Sequence, residues 1–425
     1  MSLKIIKIDP KVARIAFAVA AIICIAAAYL TVRWHFANVV ATRLDAERPE
    51  SKIVADWLVS IAPNDPQTHF AAAAILERTF DTGDLERSLA EYEKAASLSP
   101  DDFRLWLHIA RARSLVDDIA GAEAAFRRAA ELAPNYTAVN WAYGNFLVRQ
   151  GSFDEGFAML ARAAERNADY SRAAVTTAMQ IFDGSIADTR RVLGDTESTN
   201  ASLALYLAAE KRFAEAADAW SRVNTGDKKR IVDGEKLLSQ FITEKQYRAA
   251  AGMYADLNPQ SETPVIGQLT NGGFESEVKL RNAGLFEWNL GEGVHPQIGL
   301  SEAQKRGGRF SLAMAFSTFE SSGFRVLSQT VAVEPGAVYE FEGFYRFDMK
   351  STAKFKFEIA DLVTGVIGAT EPFAMAGDWT TMRARFTVPA VSDGVIIRFV
   401  REGCSGPTCP MNGRIFLDDL SLRRL

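Results

Sequence analysis

The middle of the chain repeats a pattern of small and large apolar positions. Pairs of a small residue and a large apolar residue, four positions apart, recur there: Ser88/Tyr92, Ala122/Phe126, Gly156/Leu160, Ala216/Trp220 and Ala250/Tyr254. The first three pairs are 34 residues apart, and so are the last two. A spacing of four puts both members on one helix face, and a period of this length is typical of stacked helix pairs. We therefore expect a helical repeat array over residues 51–258, with five recognisable units and one degenerate unit.

The periodicity changes after residues 259–264, whose Pro-Gln-Ser-Glu-Thr-Pro sequence predicts a linker. Beyond it, short runs either alternate apolar and polar residues or are rich in β-branched and aromatic residues, and glycine turns separate them. These runs are 331–333, 338–347, 354–359, 382–388 and 395–400. Residues 265–425 are therefore predicted to form an antiparallel β-sandwich or jelly roll. The expected fold class is multidomain, α followed by β.

An uncharged run of 18 residues, Ile15–Val32, lies near the N-terminus. Its length suffices for a tilted span or for one in a slightly thinned bilayer. We predict a transmembrane helix over residues 15–34, a cytoplasmic tail over residues 1–14 and a helical connector over residues 35–50. The tail is basic, which predicts that the remainder is exported. The basic residues are Lys4, Lys7, Lys11 and Arg14.

Two alternatives to this anchor stay open. A cleaved signal peptide would need a small-x-small site just beyond the apolar run, whereas Ala26–Ala28 lies inside it. A buried helix of a soluble protein is disfavoured by the basic tail. Retention of an anchor predicts a single-pass protein of a bacterial inner membrane, with its bulk in the periplasm.

The array resembles the tetratricopeptide repeat (TPR) family. Its best unit follows the family order W-x2-L-G … A-x3-F … P, in which Arg113 replaces the usual Tyr and the matching residues are Trp106, Ile109, Ala110, Ala122, Phe126, Ala129 and Pro134. Residues 51–62 resemble the second helix of a partial unit that would cap the array. The resemblance implies a concave groove, lined by the first helix of each unit, that binds peptide segments of protein partners.

Carrying the family register over to this sequence gives a set of candidate groove residues. An apolar column flanked by guanidinium groups suits a peptide with one apolar anchor and a carboxylate. The alternative is that the groove is solvated or filled by the protein's own segments. The candidates are Phe70, Arg104, Leu107, Arg111, Trp141, Asn145 and Arg172.

The C-terminal region resembles the galactose-binding-like jelly roll of carbohydrate-binding modules, of the family 4/9/22 type. The resemblance rests on the order of Asn271–Glu275, Gly308–Leu312, Gly377–Trp379 and Ile415–Leu422. It implies a structural Ca²⁺ held by the carboxylates of Glu275 and Asp418, because Ca²⁺ takes oxygen ligands. The alternative is that both carboxylates cap loops without a metal.

Glycan binding by this domain would need aromatic rings to stack on sugar faces and polar groups to bind hydroxyls. Trp379 is expected to pack in the core instead. Glu340 and Glu342 share a strand face, as a pair of glycosidase carboxylates could, but we expect a solvated face. The glycan-binding candidates are Trp288, Phe319, Phe344 and Arg346.

The cysteines bear on the cellular compartment, and the net charge bears on nucleic acid as a partner. Cys404 and Cys409 bracket a turn-like Ser-Gly-Pro-Thr sequence, which in an exported domain predicts a local disulfide. Cys24 lies in the apolar run. A net charge of −5 gives no case for nucleic-acid binding.

No enzyme motif stands out: we find no nucleophile elbow, phosphate-binding glycine loop or HExxH sequence. The expected function is that of a non-enzymatic, membrane-anchored scaffold that binds protein partners, in exopolysaccharide or envelope biogenesis or export. The alternative is a carbohydrate-recognition protein whose array is a spacer. A weaker third hypothesis is an unrecognised glycan-processing enzyme.

Overall fold

The structure is a computed structural model. It describes residues 10–45, 48, 50–79, 81–165, 167–224, 226, 228–404 and 406–425, without the side chains of 228 and 229. Lys4 and Lys7 of the predicted tail lie outside the described residues. The chain divides into two compact units, Met1–Gly194 and Asp195–Leu425.

The described residues contain fourteen helices followed by ten strands. This order confirms the predicted fold class, with a long apolar N-terminal helix, a helical array and a C-terminal sandwich. The helices are α1 Pro10–Arg43, α2 Ser51–Ile61, α3 Pro66–Thr79, α4 Asp84–Leu98, α5 Phe103–Leu115, α6 Ile119–Leu132, α7 Thr137–Arg149, α8 Phe153–Ala164, α9 Ala168–Ile181, α10 Ile186–Leu193, α11 Glu197–Ala209, α12 Phe213–Ser221, α13 Lys228–Thr243 and α14 Tyr247–Leu257. The strands are β1 Asn289–Leu290, β2 Gln297–Ser301, β3 Ser311–Glu320, β4 Leu327–Ala332, β5 Val338–Ser351, β6 Lys354–Asp361, β7 Gly365–Ala369, β8 Ala376–Thr387, β9 Gly394–Glu402 and β10 Thr408–Arg424.

In the first unit, α3 to α8 form consecutive helix pairs whose boundaries the sequence encodes. Asp102 and Asp118 cap α5 and α6 by accepting backbone N–H bonds from Arg104 and Gly121. Helices α7 and α8 approach closely because their contact is lined by glycine. A Cβ on Gly144 would lie 2.9 Å from the carbonyl oxygen of Gly156, so no larger residue fits without a shift.

The C-terminal part of α1 belongs to this array. Ala37 and Ala41 are buried against Leu58 of α2 and Ala71 of α3. Helix α2 therefore pairs with the end of α1, where the sequence predicts a capping helix. The predicted shortened unit around residues 183–199 contains α10, which has only 8 residues.

In the second unit, two antiparallel five-stranded sheets form the sandwich, in the orders β1-β4-β9-β6-β7 and β2-β3-β10-β5-β8. Inward-facing aromatic residues of both sheets form the core between them. Phe355 and Phe399 stack with ring centroids 5.6 Å apart, and Phe341 lies 5.2 Å from Phe357. The core is therefore built from the alternate positions that the period-two pattern marks.

Helix α14 is fastened to the sandwich of the same unit. The carboxylate of Asp393, just before β9, accepts the backbone N–H groups of Tyr247 and Arg248 at 2.9 and 3.1 Å. Arg248 also forms an ion pair with Glu334 at 3.3 Å. A Cβ on Gly394 would lie 2.3 Å from the Tyr247 ring, so this approach requires glycine.

The segment predicted as a linker also contacts the sandwich. Ser261 donates to Glu287 at 2.9 Å, and Glu262 accepts the N–H of Asn271 at 2.7 Å. The proline-rich composition therefore describes an irregular segment that hydrogen bonds nevertheless hold in place.

Candidate functional site

A groove of about 590 Å³ lies in the first unit, between α1 and the N-terminal ends of α3, α5 and α7. Its floor contains a cluster of rings from three helices. His108 contacts Phe70 edge-on and stacks on Tyr92, with centroids 5.1 Å apart in both pairs. Leu107 and the Phe103–Tyr136 ring pair also line the groove. The floor can therefore hold an apolar side chain.

The charges of the groove are not equivalent. Arg104 holds Asp102 with two hydrogen bonds of 2.9 and 2.6 Å, so its charge is already compensated. Arg111 is exposed and makes no hydrogen bond or ion pair with any residue that the structure describes. The groove thus has one guanidinium group available to an anionic ligand.

The rings of the floor are neutral at ordinary pH. Burial is the main cause that lowers the pKa of His108; the charge of Glu77 opposes the shift, and the charges of Arg111 and Arg104 support it. Burial raises the pKa of Tyr92, whose hydroxyl donates to Glu77 at 2.8 Å. Arg111 therefore lies beside neutral rings, and the Glu77 carboxylate is a negative charge that acts on both of them.

The groove brings together four of the seven residues proposed from the sequence: Phe70, Arg104, Leu107 and Arg111. The other three lie further along the array and do not line it. Trp141 packs on Tyr170 at 4.7 Å, Asn145 donates to the Trp141 carbonyl at 2.8 Å, and Arg172 pairs with Asp169.

Sequence reasoning missed His108 and the two residues of α1 that line the groove, Asn38 and Thr42. His108 is four residues after Arg104 and three before Arg111, so helical spacing could have placed it on the same face. No local signal marks Asn38 and Thr42, because their place in the groove depends on the packing of α1 against α3.

The two residues proposed for calcium meet one loop of the sandwich, between β2 and β3. Glu275 accepts the N–H of Arg309 at 3.0 and 2.9 Å, and Asp418 accepts the N–H groups of Arg306 and Gly307 at 2.7 and 3.2 Å. Asp418 is fully buried, and this burial raises the pKa of its carboxyl group against the effect of these bonds. As placed, these carboxylates fasten the loop.

This arrangement does not complete the roughly six to eight oxygen ligands that Ca²⁺ takes. Among the described residues, no group of three or more His, Cys, Asp or Glu side chains is placed to hold a metal ion. The oxygens of Glu275 and Asp418 face peptide N–H donors instead. Calcium binding therefore stays a prediction from the family resemblance.

The four residues proposed for glycan binding do not form one site. The prediction that Trp288 binds a glycan is wrong. Only 2% of this residue is exposed, and it packs on Phe274 in the core, so its ring offers no face to a sugar. Phe344 is covered by the guanidinium of Arg306, 3.5 Å from its ring, and Arg346 donates to Gln304. Phe319, on β3, is 75% exposed.

Glu340 and Glu342 are held by arginines on one face of the second sheet. Glu340 pairs with Arg385 at 2.8 Å and with Arg423, and these bonds lower the pKa of its carboxyl group to about 2. Glu342 pairs with Arg383 at 2.6 Å. A glycosidase acid needs a raised pKa, so this arrangement suits an ion-pair network on the sheet surface.

One further sequence prediction, the disulfide, is confirmed, and the predicted membrane helix is supported in a coarser form. Cys404 and Cys409 form a disulfide, with Cα atoms 5.6 Å apart. Helix α1 is long and apolar enough to cross a membrane or to serve as a signal sequence, and its apolar stretch is not buried.

Two regions of the chain match models of known protein families. Residues 267–406 match the model of a carbohydrate binding domain, and residues 116–179 match that of a tetratricopeptide repeat. Both resemblances drawn from the sequence are confirmed, and both regions are domains of binding type. No curated protein matches the chain.

Solved structures of both kinds are similar to parts of the chain. A CBM4 structure is 17% identical over 37% of this chain and 99% of its own, with a TM-score of 0.28. TmCBM61 in complex with β-1,4-galactotriose is 18% identical over 37% of this chain and 97% of its own, with a TM-score of 0.27. Pseudomonas aeruginosa PilF is 14% identical over 54% of this chain and 91% of its own, also with a TM-score of 0.27. Such values carry no functional argument.

Proposed function

We propose that this protein is a non-enzymatic, membrane-anchored scaffold whose repeat array binds a segment of a partner protein. The observation that carries the proposal is the groove of the first unit, where an apolar ring floor adjoins Arg111. This guanidinium lacks a hydrogen-bonding or ion-pair partner in the described part of the chain. A free binding group beside a preformed apolar floor is the arrangement that anchors a peptide.

The ligand that fits is a short peptide segment with an apolar side chain next to a carboxylate. The apolar side chain would cover Phe70, Leu107 and His108. The carboxylate, from an acidic side chain or a C-terminus, would take the two parallel N–H groups of Arg111. Arg104 would contribute less, because its ion pair with Asp102 would have to be given up.

The place of action that we propose is a bacterial inner membrane, with the N-terminus in the cytoplasm and the bulk in the periplasm. The basic residues before the apolar run support this topology. The Cys404–Cys409 disulfide agrees with it, because disulfides persist in oxidising compartments. The match to a carbohydrate binding domain supports a role in the biogenesis or export of an exopolysaccharide or other envelope polymer.

A second candidate function is glycan recognition by the sandwich, with the array as a spacer. Two observations favour it: the family match over residues 267–406 and the exposed ring of Phe319. A glycan array probed with the full chain in nanodiscs tests it. A glycan signal that Phe319→Ala abolishes would promote this candidate, whereas an array without signal would remove it.

The groove is tested by selecting ligands from a displayed peptide library with the full chain. We expect the selected peptides to share an apolar residue beside a carboxylate. Arg111→Gln should weaken their binding by roughly tenfold or more, since a hydrogen bond to a charged group contributes about 1.5–3 kcal/mol. Phe70→Ala should weaken it as well, through the loss of apolar contact.

One variant serves as a control and another tests the extent of the binding site. Arg127→Gln removes an exposed arginine of α6 that pairs with Glu123 outside the groove, and it should leave binding unchanged. Trp141→Ala tests whether the peptide also contacts Trp141, which the sequence predicts as a groove residue but which does not line the groove. Peptides that bind equally well to the wild type and to both Arg111→Gln and Phe70→Ala would refute the proposal.

A further inference from the structure

Helix α1 enters the repeat array without a break. It is continuous from Pro10 to Arg43, and the apolar run ends inside it at Val32. The next residue, Arg33, donates to the carbonyl oxygens of Ile61 and Ser60 at 2.5 and 3.3 Å. The array is therefore coupled rigidly to the end of the apolar run, with no linker between them.

Helix α2 runs antiparallel to α1 and returns to the level of Arg33. Trp57 packs edge-on against Phe36 at 6.1 Å, and Ile61 ends α2 at Arg33. The next contact is between Asn38 of α1 and Asp65, at 3.1 Å, just before α3 begins. The turn between α2 and α3 therefore lies at the edge of the array that faces the apolar run.

The groove lies at this same edge. It is lined by Asn38 and Thr42 of α1 and by residues of the N-terminal parts of α3, α5 and α7. With a rise of about 1.5 Å per residue, Asn38 lies about 9 Å beyond Val32 and Thr42 about 15 Å beyond it. The groove thus begins just outside a lipid headgroup layer about 5–7 Å thick.

Exposed aromatic residues mark the level of the membrane surface. Trp34, Phe36 and Trp57 are each about half exposed, and they lie between the end of the apolar run and the groove, whereas Tyr29 is exposed in the last turn of the run itself. Trp and Tyr are enriched at the interface between membrane and water. Their position on both α1 and α2 agrees with a groove held close above the bilayer.

We propose that the segment bound in the groove is the exported juxtamembrane stretch of a second membrane-anchored protein. The proposal rests on the groove function and on a retained anchor. A folded domain has little room between the bilayer and a groove that begins about 9 Å above the apolar run. An extended chain that leaves the same membrane covers this distance in about three residues, at 3.3–3.6 Å each.

Charge favours this ligand. Exported flanks of membrane spans are poor in Lys and Arg, so an acidic residue there meets no competing cation and can bind Arg111. The corresponding flank of this chain cannot occupy the groove of a second copy. It reads Arg33-Trp34-His35-Phe36, it is basic, and Arg33 and Phe36 are already packed on α2.

The test places the photo-crosslinking amino acid p-benzoylphenylalanine at position 42 or 104 of the full chain in its native membrane. We expect crosslinks to map within about ten residues of an apolar span of another protein, since ten extended residues reach about 35 Å. Arg111→Gln should lower their yield roughly tenfold. The same crosslinker at position 127, outside the groove, should not give these products.

Three other results are informative. Arg111-dependent crosslinks to a soluble protein, or to a segment far from any span, would overturn this inference and leave the groove function standing. Crosslinks to lipid would overturn it in favour of headgroup binding. Crosslinks that do not respond to Arg111→Gln would refute the groove function as well.

Discussion

His69 and His108 lie in consecutive first helices of the array, and their surroundings differ. Burial alone would lower the pKa of His69, but its hydrogen bonds to Glu91 at 2.5 Å and to the Pro63 carbonyl at 2.9 Å outweigh it and raise the pKa. Both ring nitrogens face acceptors, so the imidazolium, which can donate from both, fits best. His108 has the opposite shift, chiefly because it is buried among rings.

The two shifts predict opposite pH dependences. A raised folded pKa means that the stabilisation by His69 is present below about pH 6.5 and is lost as the pH rises through its folded pKa. A lowered folded pKa means that the stabilisation by His108 is present above about pH 6.5 and is lost as the pH falls. NMR titration of the ring protons, assigned with His69→Gln and His108→Gln, should place the two pKa values on opposite sides of 6.5. The reverse order would contradict the two environments.

Gly144 tests the close approach of α7 and α8. Gly144→Ala puts a Cβ 2.9 Å from the Gly156 carbonyl oxygen, whereas Gly252→Ala on α14 adds a Cβ with nothing within 4 Å. Both changes gain helix propensity, so the difference between them isolates the clash. We expect Gly144→Ala to be less favourable by about 1–3 kcal/mol in the free energy of local opening, measured by hydrogen exchange. Equal effects would show that α7 and α8 can separate at no cost.

At the scale of elements, Asp393 joins α14 to the sandwich. Its carboxylate caps the first N–H groups of a helix 145 residues away in sequence. Asp393→Ala should cost about 1 kcal/mol, as the loss of a helix cap does, and the Tyr247 and Arg248 amides should exchange faster. Asp393→Asn keeps an acceptor oxygen and should cost less. Unchanged exchange in the alanine variant would mean that α14 does not depend on this cap.

At the scale of the whole molecule, the central prediction is a retained anchor. Cleavage within Ala26–Ala28 would remove most of the apolar run and leave the C-terminal part of α1, which is packed on the array through Ala37 and Ala41. We expect the mass of the mature protein to include residues 1–28 and the protein to stay in the membrane after washing at high pH. A reporter enzyme that is active only in the periplasm should be active when fused after Leu425. A shortened mature chain, or a C-terminus in the cytosol, would contradict the proposed topology.

Much of the fold follows from local patterns in the sequence. The 34-residue period and the alternating runs predict the array and the sandwich, because helix and strand geometry repeat at 3.6 and 2 residues. The disulfide and the long apolar helix were also predictable, because each depends on residues that are close together in the sequence. The candidate site was only partly predictable. The register gave Phe70, Arg104, Leu107 and Arg111, but it could not distinguish an arginine already paired with a carboxylate from one that is not.

Local patterns along the chain specify which elements form, in what order, and which faces are apolar, since these depend on neighbouring residues. The contacts between distant residues were set by the packing of the whole fold. This packing buried Trp288, covered Phe344 with Arg306, paired Arg104 with Asp102 and brought Asn38 of α1 into the groove. The physical reason is that burial and pairing of a side chain are set by what packs against it, which local periodicity does not specify.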